Sequence, residues 1–244
     1  MAPGGAGWRD IDWRAPWLAP YVDLAAPVLQ RLAQGDSVAA ALDPMRDPVR
    51  GPVRFVPQAK LPDGEAYESF IRRTGRVPTR DNLHDLFNGL VWLRFPSLKQ
   101  RLNQLHAAQI ATEGIAPQRG PLRDALTLFD ENGAWWQAPA ELVLALQRRD
   151  WHALFVTHRA AWSQARLTLV GHALLEKLVQ PRKAITAHLW VSAGDVGDAK
   201  GVTAVSWSAK PFLPLPVLGV PGWWPANEKA GFYTDADVFR AARG

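Results

Sequence analysis

Cysteine is absent from the 244 residues. That excludes disulfides, thiolate metal sites, iron–sulfur clusters and a cysteine nucleophile, and leaves His, Asp, Glu and Asn as the side chains able to ligate a metal. Also missing is any stretch of about 18 apolar residues without a charge, so no membrane insertion is expected. The Ala/Pro-rich start carries Trp8, Arg9, Asp10 and Asp12 where a secretory leader needs an unbroken apolar run, which gives a cytoplasmic expectation. Like charges never gather into runs of about five or more. The formal charge of +5 is scattered, and nucleic-acid binding, though compatible with it, is the less favoured partnership.

Several catalytic signatures are absent too. There is no Gly-x-Gly-x-x-Gly fingerprint, phosphate-binding Gly-rich loop, Gly-x-Ser-x-Gly elbow or His-Glu-x-x-His helix, so the corresponding nucleotide, serine-hydrolase and zinc-protease classes lack their required residues. What is present is an ordinary globular balance, 48% hydrophobic and 21% charged, in a chain long enough to bury roughly 70% of its unfolded surface.

The pattern predicts a mainly α, single compact helical domain with a few short strands. It divides into a Pro/Trp-rich N-terminal clasp (1–53), a helical body (54–193) and a C-terminal segment (194–244), both terminal segments being extended and wrapped on the body. Eight prolines before residue 60 restrict the clasp to short helical turns at Val28 to Ala33 and Val38 to Leu42, with Trp8, Trp13, Trp17 and Tyr21 as docking surface. A strand is expected at Arg54 to Pro57, and a turn at Leu61 to Gly64. The next helix, Glu65 to Arg73, is closed by Gly75. Thr79 or Asp81 caps a helix to about Arg94, and Pro96 opens another to about Ile110, the short break implying a sharp turn or an antiparallel hairpin. Asn132-Gly133 reads either as a helix end or as a hairpin turn. Helices follow at Pro139 to Arg148, Trp151 to Trp162 and Gly171 to Val179, with Leu167 to Val170 as a possible strand, and the proline-rich tail ends in a helix around Ala236 to Arg243.

On a wheel of about 100° per residue, His84, Asn88, Asp81 and Asp85 form a polar stripe bordering the apolar face of their helix. Lys99, Asn103 and His106 repeat that pattern beside Leu98, Leu102 and Leu105 on the next helix. If the two helices pack as a hairpin, His84 and His106 approach one cavity. Each polar residue alone is accounted for by capping, solvation or one structural hydrogen bond; the repetition points to a site. His172 and Glu176 stand one helical turn apart, a spacing suited to metal binding or acid–base work. Asp124 and Asp130 add carboxylates, and His188 follows Lys183 in a stretch able to line the same cavity. His152 and His158 read as fillers.

The run Val77-Pro78-Thr79-Arg80-Asp81-Asn82-Leu83-His84-Asp85-Leu86-Phe87-Asn88 resembles the bacterial family called domain of unknown function 3025. Arg123 to Glu131, Gly171 to Lys177, Gly219 to Trp224, Phe232-Tyr233 and Val238 to Arg240 resemble it too. The likeness covers nearly everything from Arg54 onward and implies one domain without implying an activity. From the residues, the expected function is a metal-assisted or acid–base enzyme of hydrolase type. His84, Asp85, His172 and Glu176 are its catalytic candidates, and Asn88, Lys99 and Asn103 its ligand-binding ones. His84, His106, Asp124 and Asp130 are candidate ligands for Zn, Mn, Fe or Mg. The rival is a non-catalytic module gripping an acidic metabolite, nucleic acid or a protein through the same polar face.

Overall fold

A computed structural model describes residues 7–49, 51, 53–114, 120–199 and 201–242. It is mainly helical with two small sheets. Trp8–Asp10 and Pro16–Tyr21 are 3-10 turns, and the latter runs into α1 (Val22–Ala33). Pro27 lies inside that helix instead of before it, so the first clasp helix is twice the expected length. α2 is Val38–Leu42, where Ser37 Oγ accepts from the Ala40 amide.

β1 (Arg54–Pro57) leads through a turn to α3 (Tyr67–Thr74), which Gly75 closes at φ 65°. Arg76–Thr79 then pairs parallel with β1 as strand β2, with Phe55 opposite Val77. This corrects the expected helix start. Thr79 belongs to the strand, the cap of α4 (Leu83–Arg94) is Asn82, whose Oδ1 accepts from the Asp85 amide, and Asp81 instead accepts from the Val38 amide at the start of α2. Pro96 opens α5 (Pro96–Glu113) after a single intervening residue.

Between Pro121 and Gln137 the helix-end reading of Asn132-Gly133 holds and the hairpin does not: α6 (Pro121–Asn132) is capped by Gly133 and passes directly into β3 (Gly133–Gln137). α7 (Ala140–Gln147) follows, and the helix expected over Trp151 to Trp162 is a π turn, Ala153–Thr157, joined to a 3-10 turn, Arg159–Gln164. The remaining elements are β4 (Arg166–Leu169), α8 (His172–Lys177), β5 (Thr186–Val191), α9 (Ala204–Ser208) and β6 (Leu213–Pro216). The larger sheet has the order β4-β3-β5-β6, with β3 and β5 parallel and the outer pairs antiparallel.

The C-terminal segment is not the extended tail expected from its prolines. It folds as α9, β6 and 3-10 turns at Val217–Gly219, Pro225–Glu228 and Ala230–Thr234; 236–242 contains no helix, and 243–244 lie outside the described residues. Nor is the N-terminal segment extended. Fully buried Tyr21 donates its hydroxyl to the Leu169 carbonyl of β4 at 2.6 Å, and Trp17 meets Trp223 at 6.1 Å between rings.

α4 packs along α8, while α5 lies against α3. Fully buried Leu86, Phe87 and Leu90 seat α4, as Leu126 and Phe129 seat α6. The junctions α6/β3 and β4/α8 touch through glycines: the Val170 and Gly171 amides donate to the Gly133 carbonyl at 3.0 and 2.9 Å. A Cβ on Gly171 would come within 2.6 Å of Asn132 and Gly133 backbone atoms. Gly171→Ala is therefore expected to destabilise the protein by about 2–3 kcal/mol, because neither backbone can retreat. Urea unfolding checks this, an unchanged midpoint showing that the junction yields freely.

Candidate functional site

Those glycine contacts set the start of α8 beside the end of α6, and α4 packs along α8. His84, in the first turn of α4, meets His172, the first residue of α8: their rings stand edge to face with centroids 4.4 Å apart, and the two Nε2 atoms are 2.9 Å apart. Glu131, near the end of α6, places Oε2 at 3.6 Å from His172 Nε2. Ligand atoms from His84, Glu131 and His172 all fall within 4.8 Å of one another. Donors around a tetrahedral ion at about 2.0–2.1 Å stand about 3.3–3.4 Å apart, a value that the two measured separations bracket.

Each ring presents its other nitrogen to a carboxylate. His84 Nδ1 is 3.0 Å from Glu176 Oε2, and His172 Nδ1, buried and without a hydrogen bond among the described residues, is 3.8 Å from Asp130 Oδ2. Burial holds the His172 imidazole down to about 3, against the opposing pull of Asp130, so the ring is neutral at physiological pH. A neutral ring has one proton. Placed on Nδ1 it faces Asp130, which leaves the Nε2 lone pair directed at His84. The same choice at His84 gives its Nδ1 proton to Glu176. The two Nε2 atoms stand at hydrogen-bond distance, 2.9 Å, and with both protons on Nδ1 their lone pairs face one point, the arrangement that a metal ion completes.

The pair opens on a cavity of about 310 Å³ whose wall includes Tyr67, Glu68, Arg80, Asn88 and Glu131. Asp130, although burial alone would raise it, is held below the usual carboxylate range by Lys99, His172 and His106. Buried Lys99 donates to its Oδ1 at 2.5 Å. Burial raises Glu131, with the Asp130 charge adding to the rise and His84 opposing it. Burial and then Asp130 raise Glu68, outweighing the 2.5 Å hydrogen bond from Asn103 Nδ2 and the charge of Lys99. At the rim Asp85 accepts from the Arg80 amide at 2.6 Å and from its guanidinium at 2.9 Å. Asn88 donates to the Tyr67 hydroxyl at 3.0 Å.

The residues singled out in the sequence thus separate. His84, His172, Glu176 and Asp130 come together, with Asp85 and Asn88 on the same wall and Lys99 and Asn103 one contact behind it. Asp124 does not reach them; it pairs with Lys210 at 3.2 Å on a half-exposed surface. His106 is buried on α5, where its charge acts on Asp130, and the histidine that faces His84 is His172. Glu176 serves the ring of α4, not the one a turn before it. His188 is on β5, away from the cavity lining. Glu131, Glu68 and Tyr67 were missed. For Glu131 a signal existed: it adjoins Asp130 just before the Asn132-Gly133 break, so both acids sit at one helix end.

A family model described as "Protein of unknown function (DUF3025)" matches residues 53–243. The chain belongs to this family. No curated protein and no solved structure matches it. The match takes in every side chain of the DUF3025 site described above, from Tyr67 to Glu176, and among the described residues no helix is long and apolar enough to cross a membrane.

Within this site Glu68 offers a test by stability. Its raised carboxyl means that the folded state binds that proton more tightly than the unfolded chain, so the ionised group costs stability above its folded pKa and the cost vanishes below the unfolded value of 4.5. Glu68→Gln, whose amide oxygen can still accept from Asn103, is expected to stabilise by about 1 kcal/mol at pH 7. The gain should shrink as pH falls toward 4.5. Thermal unfolding across that range checks it; a gain that grows with acid contradicts it.

Proposed function

We propose that this protein is a divalent-metal-dependent hydrolase acting on a small molecule, with His84, His172 and Glu131 as the ligands. One observation carries the reading: the Nε2 atoms of two histidines converge beside the Glu131 carboxylate while both Nδ1 atoms face carboxylates of their own. That outer ring fixes the tautomer and orientation in which imidazoles bind metals. Nitrogen and oxygen donors without sulfur suit Zn, Mn or Fe(II). Such an ion, when bound, supplies a Lewis acid and an acidified water.

The chain's own residues supply the rest. Glu176, at 3.0 Å, holds the Nδ1 proton of His84, and the Asp130 charge at 3.8 Å favours the matching proton on His172 Nδ1, which keeps the ring nitrogens aimed at one point. Glu68, made more basic by burial, stands on the cavity wall as the proton acceptor. The Arg80–Asp85 pair stiffens the rim. A cavity of about 310 Å³ suits a small molecule and is too small for a polymer to enter whole.

The test is elemental analysis of purified protein before and after reconstitution with Zn, Mn, Fe(II) or Mg. The expected result is one equivalent of a transition ion, lost in His84→Ala. Sub-stoichiometric metal that does not rise on reconstitution, and that His84→Ala leaves unaltered, would overturn the reading.

A further inference from the structure

A second cavity, of about 400 Å³, lies apart from the histidine cavity and shares no lining residue with it. Three stretches far apart in sequence build it: the 3-10 turn Pro16–Tyr21 with the residues just before it, the residues that follow α8, and the turn leading into Pro225–Glu228. Trp17, Leu178, Val179, Pro181, Trp223 and Trp224 make its walls mostly apolar. The Trp17 and Trp223 rings stand 6.1 Å apart with their planes at 51°, so the wall is in part aromatic. The charged side chains on the lining are Asp12 and Arg14, and they hold each other through two bonds at 2.8 and 3.1 Å.

The indole N–H groups supply the second observation. Such a group is a donor only, and a covered one ordinarily finds an acceptor. Trp135, Trp151 and Trp162 do so, each donating to a backbone carbonyl at 2.8 Å. Trp223 and Trp224 are half-buried, yet among the described residues their N–H groups make no hydrogen bond. Nor are they sealed from solvent, as the unpaired N–H of Trp17 is, so an acceptor carried by a ligand can reach them. The side chains therefore offer apolar surface and unspent donors, and the one carboxylate present is held by Arg14. A ligand charge brought onto such walls loses its hydration without gaining a free counter-charge.

We infer that this cavity binds an uncharged, flat, largely apolar small molecule bearing hydrogen-bond acceptors, an aromatic lactone or ketone being the type. Its rings lie on the tryptophan faces and its oxygens accept from the indoles of Trp223 and Trp224. The volume suits such a molecule. Nothing in this inference depends on the hydrolase reading, because the two cavities have no residue in common.

The experiment is titration of ¹⁵N-labelled protein with coumarin, a fused-ring lactone with acceptors and no donor, following the tryptophan indole N–H resonances. Those of Trp223 and Trp224 are assigned by their loss in Trp223→Phe and Trp224→Phe, which keep an aromatic ring and remove the donor. Both are expected to shift in wild type with one dissociation constant of about 1 mM or below, as befits a ligand of this size. Each variant should weaken coumarin about fivefold, the loss of one neutral hydrogen bond. Indole, similar in size but without an acceptor, and the anion coumarin-3-carboxylate should each bind at least about tenfold more weakly than coumarin. Should one variant fail to fold, the other variant and the ligand comparison carry the test. Coumarin that leaves both resonances unmoved at about 5 mM, several times the expected dissociation constant, overturns the inference. So does indole or the anion binding as tightly as coumarin, or coumarin binding that appears only once residues 1–6 are removed, which would give the cavity to the chain's own first residues.

Discussion

His172→Ala is expected to lower zinc affinity by more than about 100-fold, beyond the 10–100-fold that loss of an outer partner brings, and to abolish any hydrolysis the protein performs. His172 is the buried member of the set and is neutral at physiological pH, so it is ready to ligate without first losing a proton. Glu176→Gln should fall within the lower range, because an amide still accepts from His84 Nδ1 while surrendering the charge that makes the ring a better donor. The order of the two variants matters more than either figure. Metal content measured by competition with a chelator reads both, and circular dichroism confirms that each is folded. Equal losses would mean that Glu176 is itself a ligand; no loss in His172→Ala would mean that the converging nitrogens hold only a proton.

How much of this site could be read from the chain depends on the kind of contact involved. His84 and His172 both stood out, because each lies in a helix beside apolar residues, and that local pattern survives folding. Their pairing did not. Adjacency in sequence suggested His84 with His106, but only Phe95 separates α4 from α5, and the fold sends α5 onto α3 and lays α4 along α8. Helices become neighbours through contacts far apart in sequence, as α6 and α8 do at Gly133 and Gly171, 38 residues apart, and periodicity carries no trace of them. Glu131 escaped notice for a related reason. A carboxylate at a helix end is usually solvated; here the helix ends against α8.

The fold divides along the same line. Elements closed by local chemistry were legible: the Gly75 stop, the five residues of α2 and the Pro96 start. Elements held by distant partners were not. β2 exists because Arg54 to Pro57 lies beside it, so Pro78-Thr79 looked like a helix start when read alone. β3 pairs with β4 and β5, both later in the chain, which is why a hairpin turn at Asn132-Gly133 stayed open beside the slightly favoured helix end that the structure has. Proline density in the tail was read as extension, whereas Pro225 opens a 3-10 turn at its first position and Pro216 precedes another.

The other large effect concerns Lys99, which the chain pattern had offered as a ligand-binding residue. Its side chain is buried to within 5% and its ammonium lies 5.5 Å from the Trp92 ring as well as against Asp130. Lys99→Met keeps the apolar stem and removes the charge, leaving Asp130 without the neighbour that most lowers its carboxyl. Breaking one side of such a buried pair costs about 3–5 kcal/mol, whereas removing both sides is often close to neutral. Lys99→Met is therefore expected to be destabilised by about that much at pH 7, and Lys99→Met/Asp130→Asn to regain most of it. The pH dependence has a definite sign. In the wild type Asp130 titrates below its unfolded value of 3.8, so the stability it contributes is present above that value and is lost as pH falls through its folded pKa. In Lys99→Met the carboxyl rises instead, and its protonation on acidification removes the uncompensated charge. The stability gap between the two proteins should consequently narrow as pH is lowered from 7 toward 4, measured by urea unfolding with chelator present so that metal binding does not enter. A gap that is constant across this range, or a double variant no better than the single one, would show that Lys99 stabilises the fold by its packing alone.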